Sequence, residues 1–356
     1  MTLLASQVRS FMSRCLAPDY PADDPEFNRL ALALFAFQRE NVPIYCELCE
    51  RRKAGPGLPL DWREIPFLPT SAFKEYEVSS IPANERTRVF HSSGTTGQTP
   101  SRHFHHSESL ALYEASLLPW FERHFFVAPP PPMKMLFLTP ETAPHSSLVQ
   151  MFTTVRRHFG TPDSLFTGSV KPDGAWSLNV EQTLAAVREA VGENSPLGLL
   201  GTAFSFFYLL YHLQSEGKRF ALPKGSRVME TGGYKGRTRS VPKSELRQMF
   251  SKFLGVPASH VLGEYGMSEL SSQAYDNASG VFHFPPWARA CVISPETGAA
   301  AGEGETGLLR VFDLANIASV MTVQTEDLAV RRGDGFELLG RAASAEPRGC
   351  SLMPGP

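Results

Sequence analysis

Cysteine is scarce in this sequence: Cys15, Cys46, Cys49, Cys291 and Cys350 are the 5 present in 356 residues. So sparse and odd a set excludes a disulfide framework and fits a reducing cytoplasm, which is the compartment expected. An excess of either charge is missing as well. The 34 lysines and arginines nearly balance 36 aspartates and glutamates, for a formal charge of -2. With no basic tail or stripe, a nucleic acid has no electrostatic footprint to bind. The N-terminus, Met1 to Ser6, lacks a basic segment followed by an apolar core, so no secretory signal is expected. Long hydrophobic runs are also wanting. The most membrane-like stretch, Leu197 to Leu213, is shorter than the ~20 residues of a membrane helix. It is broken by Gly198, Gly201, Thr202, Ser205 and His212, and reads as a buried strand, a turn and a buried helix. No membrane span is expected.

What is there suffices for a sizeable core, since 42% of the residues are hydrophobic. Phe27, Leu30, Leu34 and Phe37 recur at helical spacing before Asn41. Prolines 56, 59, 66 and 69 punctuate the next stretch, and a short helix is expected near Ser71 to Tyr76. Thr87 to Phe90 reads as a strand, Arg102 to His106 as a second, and Ser107 to Phe126 as a helix. After the proline run 129–132, strands are expected at Met133 to Thr139, near Leu197, at Arg227 to Thr231 and near Val261. Helices at Ser205 to Ser215 and Lys243 to Phe253 fall between them, and this alternation predicts an α/β fold. From about Val281 onward, turns and strands predict a β-rich subdomain.

Ser92 to Ser101 reads SSGTTGQTPS between the two expected strands. Two glycines let a backbone approach an anion, while hydroxyls and amides can surround phosphate oxygens. It is not a Walker loop, because no lysine stands in the required place. By composition alone, a Ser/Thr/Gly hairpin turn remains open. Elsewhere, Cys46-x-x-Cys49 lacks a second pair at zinc spacing and reads as structural. His103, His105 and His106 alternate along a strand without an accompanying carboxylate or cysteine pattern, so no metal site is expected there.

The loop resembles the phosphate loop of the acyl- and aryl-adenylating (ANL) superfamily, [ST]-[SG]-G-T-T-G-x-P-K, and further elements follow in order. Gly232-Gly233 resembles its glycine pair, and Glu264-Tyr265-Gly266-Met267-Ser268-Glu269 its Y-G-x-T-E motif. Thr325-Glu326-Asp327 stands where that superfamily has T-G-D, and Gly340-Arg341 resembles the following G-R. The resemblance implies a large adenylating domain of mixed sheets flanked by helices over residues 1–340. It further implies ATP and Mg²⁺ as cofactors and a small carboxylic acid as substrate. Ser92, Ser93, Gly94, Thr95, Thr96 and Gly97 would hold phosphates, and Gly232, Gly233, Tyr265 and Gly266 would line the adenine and acyl pocket. Glu269 would bind the metal, Asp327 the ribose, and Arg341 the ribose or a phosphate, with Lys235 as an additional cation.

Each residue also has a plainer local reading. Glu269 would be a carboxylate favoured at a helix N-terminus, Tyr265 a core ring, Asp327 a turn residue, Arg341 and Lys235 solvated cations. The uncharged segment Phe204 to Leu213 would be either an acyl-pocket wall, through Phe206, Phe207 and Tyr208, or plain core.

Two departures stand out. The loop lysine of the superfamily is Ser101 here, and the chain ends about sixteen residues past Gly340, short for the usual lid domain. Residues 341–356 are therefore expected to form a tail in place of that lid. A brief chain with these motifs resembles the LuxE-like acyl-protein synthetase branch. That resemblance implies acyl transfer from the adenylate to a thiol such as Cys350, and onward to an acyl-acceptor protein or reductase partner; by its plainer reading Cys350 is a bystander in a frayed tail. The alternatives are a weak or inactive nucleotide- and acid-binding protein, or an aryl-CoA ligase-like enzyme.

Overall fold

The computed structural model describes residues 1–17, 24–51, 59–92, 99–126, 132–232, 242–276 and 279–342. The chain opens with helices α1 (Thr2–Cys15), α2 (Asp24–Asn41) and α3 (Pro43–Arg51). In α2 the predicted stripe is the packed one, with Phe27, Leu30 and Leu34 fully buried and Phe37 half-buried. A short strand β1 (Leu68–Pro69) and α4 (Ala72–Glu75) lead to an antiparallel hairpin, β2 (Arg88–His91) and β3 (Arg102–His105). The hairpin forms a two-stranded sheet of its own and runs into α5 (Ser107–Phe125). That helix starts at a reciprocal cap: the Ser109 N–H donates to the His106 ring at 3.2 Å, and the Ser109 hydroxyl accepts from the His106 N–H at 3.0 Å.

The alternation expected from the sequence follows. It comprises β4 (Lys134–Pro140), α6 (Ser147–Phe159), β5 (Leu165–Val170), β6 (Trp176–Leu178), α7 (Val180–Gly192), β7 (Leu197–Thr202), α8 (Ala203–Ser215), β8 (Arg227–Thr231), α9 (Lys243–Leu254) and β9 (Val261–Tyr265). Strands β10 (Ala274–Asp276), β11 (Val281–His283), β12 (Ala288–Ile293), β13 (Thr306–Asp313), β14 (Thr322–Arg332) and β15 (Gly335–Arg341) complete it. Among the described residues these make one 13-stranded sheet, ordered β12-β13-β14-β15-β11-β10-β9-β8-β7-β4-β5-β6, with β1 beside β14. The pairs β5-β4-β7-β8-β9 are parallel, and the strands from β9 to β12 are antiparallel. The β-rich region expected after Val281 is thus continuous with the parallel strands through β10, β11 and β15.

Every residue of β4 and β7 is buried, as parallel strands covered on both faces require. Alternate side chains feed two cores. Phe137, Leu200, Met229 and Leu262 pack toward α5 and α6, whereas Leu136, Leu199, Val228 and Val261 pack toward α7, α8 and α9. The stretch 197–213 is a strand feeding a helix directly, because the Thr202 hydroxyl caps α8 by accepting from Ser205 N–H at 3.0 Å. Phe206 packs edge-on against Phe250 of α9, ring centroids 4.9 Å apart, and so is a core residue of the second face. Among the described residues no helix is long and apolar enough to cross a membrane.

Candidate active site

The hairpin β2–β3 carries the Ser/Thr/Gly segment, as its flanking strands suggested. Phe90 pairs with His103 and His91 with Arg102. Beyond them the Ser92 N–H donates to the Ser101 carbonyl at 3.2 Å, and the Ser101 N–H donates to the Ser92 hydroxyl at 2.9 Å. Two bonds therefore close the neck of the loop. Ser93, Gly94, Thr95, Thr96 and Gly97 lie outside the described residues, as do Gly233, Lys235 and Cys350. Ser101, standing where the similar superfamily has lysine, is wholly buried. An ammonium at that point would lose its water, which costs far more than burying a bonded hydroxyl.

Glu269 sits in the turn-rich connection between β9 and β10, where no helix begins, so a helix dipole does not account for it. Its side chain is fully buried, and the Ser268 hydroxyl donates to its Oε2 at 3.0 Å. From the hairpin, the Ser101 and Ser268 hydroxyl oxygens lie 3.5 Å apart, and His103 Nδ1 is 2.8 Å from the Ser268 carbonyl. A carbonyl only accepts, so His103 Nδ1 carries the proton. Burial pushes this imidazole down to about 4, against the bond to Ser268 and the nearby Glu269 charge. It is therefore neutral at physiological pH.

The opposite side of this connection is held by residues that sequence reading did not single out. Asp313, at the end of β13, accepts from Ser271 N–H at 2.9 Å and Ser272 N–H at 2.8 Å on Oδ2. Its Oδ1 accepts from the Ser272 hydroxyl at 2.7 Å and Ala315 N–H at 3.0 Å. Asn316 Nδ2 donates to the Glu269 carbonyl at 2.8 Å, and Gln38 of α2 donates to the Asn316 carbonyl at 2.7 Å. No local pattern marks these residues; a buried Gln38 within an apolar helical stripe was the one available signal.

Three predicted residues meet at the end of β9. The Tyr265 hydroxyl donates to Asp327 Oδ2 at 2.8 Å, and Arg341 Nε lies 3.5 Å from Asp327 Oδ1 across the β14–β15 pair. Arg341 also pairs closely with Glu326, a partner the sequence reading missed. The Tyr265 ring is buried edge-on against Phe336 at 5.4 Å and against Phe282 and Phe284 at 6.2 Å. The ring is packed on that side, and its hydroxyl ties the β9 motif to the β14 motif.

Gly232 directly follows β8 with φ 72°, a left-handed conformation that suits glycine. Its neighbour Thr231 is paired with Glu264 across β8–β9, and the Thr231 hydroxyl donates to the Glu264 carboxylate. That carboxylate also lies over Gly266, where any Cβ would collide with it. Burial pushes the Glu264 carboxyl up to about 7, the Thr231 bond opposing and the Glu230 charge adding to the rise.

In the unfolded chain a glutamate titrates near ~4.3. Between that value and 7 the folded state binds more protons, so Glu264 makes stability fall as pH rises through this window. Glu264→Gln should therefore exceed the parent in stability by roughly 2–3 kcal/mol at pH 8 and match it near pH 5. Melting curves of both proteins from pH 5 to 8.5 test this; a constant offset at all pH would contradict it.

Residues 4–354 match the family described as acyl-protein synthetase, LuxE. A long-chain-fatty-acid–luciferin-component ligase from Vibrio harveyi is 20% identical over 342 residues, covering 91% of this chain and 86% of the relative. Its counterpart from Aliivibrio fischeri is 21% identical over 344 residues, with the same shares covered. Among solved structures, an open conformation of 2-hydroxyisobutyryl-CoA ligase in complex with 2-HIB-AMP and CoA superposes with TM-score 0.65 at 12% identity. It covers 90% of this chain and 76% of that one. ATP-bound MatB from Rhodopseudomonas palustris superposes with TM-score 0.51 at 18% identity over 74% of this chain. The chain spans about half of MatB's length, 49%. At these identities the two structures establish the fold, which is that of adenylate-forming ligases. With the family matched over nearly its whole length, the chain belongs to the acyl-protein synthetase (LuxE) family.

Proposed function

We propose that this protein uses ATP to activate a carboxylic acid as its acyl adenylate and then passes the acyl group to a thiol. The observation that carries this reading is the meeting of two motifs 165 residues apart, where the neck of the Ser/Thr/Gly hairpin touches the Ser268–Glu269 segment. That contact brings Ser101 and His103, which follow the Ser/Thr/Gly segment in the chain, close to a buried carboxylate.

In the first step a carboxylate oxygen of the acid attacks the α-phosphorus of ATP in line. The bond to the bridging oxygen breaks and pyrophosphate leaves with its electron pair. In the second, a thiolate attacks the acyl carbon and AMP departs. The protein contributes positioning and charge stabilisation rather than covalent chemistry at phosphorus. Ser92 with Ser93, Gly94, Thr95, Thr96 and Gly97 would bind the β- and γ-phosphates, and Asp327 the ribose hydroxyls. Gly232, Gly233, Tyr265 and Gly266 would border the adenine and the acid, with Lys235 and Arg341 as cations. Cys350 is the proposed acceptor thiol within the chain, ahead of a partner protein or reductase.

Magnesium fits Glu269 by donor chemistry. The dication takes one or two carboxylates, with phosphate oxygens and water completing its shell. Among the described residues no group of three or more His, Cys, Asp or Glu gathers to hold a metal alone, and the surroundings of Glu269 are hydroxyl-rich. When bound, Mg²⁺ would neutralise charge on the ATP phosphates.

Pyrophosphate exchange over a panel of fatty and aryl acids tests the reading, with fatty acids first because the relatives' names specify long-chain ones. Exchange dependent on one class of acid is the expected result. ATP binding without exchange for any acid would instead mark a binding protein. In the same reactions, a hydroxylamine-labile acyl adduct absent from Cys350→Ala would locate the acceptor.

A further inference from the structure

We infer that Ser268, backed by Ser101 and His103, is a positioning residue that sets the carboxylate of Glu269. The inference deepens the proposed function and rests on it, since it takes Glu269 as the metal-binding group. A glutamate side chain has several rotatable bonds, and ordering it costs conformational entropy. Here the Ser268 hydroxyl holds Oε2 at 3.0 Å and so restrains that oxygen before any ligand arrives.

Ser268 is itself held at two points. His103 Nδ1 donates to its carbonyl at 2.8 Å, and the Ser101 hydroxyl lies 3.5 Å from its own. Both supports belong to the hairpin. Ser101 is anchored by its N–H to Ser92 at 2.9 Å, and His103 by its place in β3 and by rings of His105 and Phe73 at 4.2 and 6.1 Å. Ser101, His103, Ser268 and Glu269 are all buried, so water does not compete for these bonds. The hairpin that brackets the phosphate segment is therefore wired to the carboxylate that would meet the metal. The position occupied by lysine in the similar superfamily serves here as a strut. Partners of this kind behind a metal ligand commonly change metal affinity when removed.

The test is calorimetric titration of the full chain with ATP, with and without Mg²⁺ and with no acid present. Ser268→Ala should weaken Mg²⁺-dependent ATP binding about tenfold while leaving Mg²⁺-free binding within about twofold. Ser268→Thr, which keeps the hydroxyl, should restore it, and Ser101→Ala should show a smaller loss in the same direction. In a Glu269→Gln background, Ser268→Ala should have no further effect, because the serine acts through that carboxylate. Parental Mg²⁺-dependent binding in Ser268→Ala, an equal loss with and without Mg²⁺, or additive losses in the double variant would each overturn the inference. ATP binding by the parent that ignores Mg²⁺ would also overturn it, while pyrophosphate exchange would still decide the adenylation reading independently.

Discussion

Glu269→Gln should fold as the parent does and lose roughly 100-fold or more in pyrophosphate exchange. The fold is spared because the supports of this segment do not need the charge. The Ser268 hydroxyl can donate to the glutamine oxygen as it does to Oε2, and Asn316 bonds the backbone carbonyl of residue 269. A neutral amide is also cheaper to bury than a carboxylate. Catalysis is not spared, because an amide oxygen lacks the charge that a hard dication prefers. Exchange rates over a Mg²⁺ series, set beside melting temperatures, measure both halves. Exchange within threefold of the parent would remove Glu269 from the metal site. A large drop in melting temperature would instead mean that the carboxylate is structural.

Asp313→Ala should carry the largest stability cost, at least ~4 kcal/mol. The aspartate accepts three backbone N–H groups and one hydroxyl at 2.7–3.0 Å in a fully buried position. Alanine leaves all four donors without that acceptor, and each buried donor left unsatisfied costs about 1–3 kcal/mol. Asp313→Asn retains one acceptor oxygen and should cost roughly half as much. Urea unfolding midpoints of the two variants rank them. A loss below about 1 kcal/mol for alanine would show that Ser271 and Ser272 have other acceptors. Because those serines follow Glu269 by two and three residues, Asp313→Asn should also raise the Mg²⁺ requirement of exchange while the protein remains folded.

Both predictions turn on residues of unequal legibility. Glu269 stood out from Tyr265-Gly266-Met267-Ser268-Glu269 and from its order behind the Ser/Thr/Gly loop. Asp313 did not, since an aspartate at the end of an apolar strand looks like any turn residue. Its function comes from accepting bonds from a segment some 41 residues away. His103 shows the middle case. Alternation of His103 and His105 correctly implied one shared face, and their rings are 4.2 Å apart. That the first of them would bond Ser268, 165 residues on, had no local sign.

The sequence by itself determined the α/β alternation, the hairpin with its polar loop and the order of the motifs. Those properties are written in periodicity, turn chemistry and residue type, which act over a few neighbours. Tertiary structure alone decided that the β-rich region continues the parallel sheet, that Arg341 is shared between Asp327 and Glu326, and that the Tyr265 hydroxyl bonds Asp327. It also decided that Ser101, which from sequence was only a missing lysine, is buried beside Ser268. The reason is physical: periodicity reports whether a side chain is buried, whereas its partner depends on which distant segment the packed sheet brings against it.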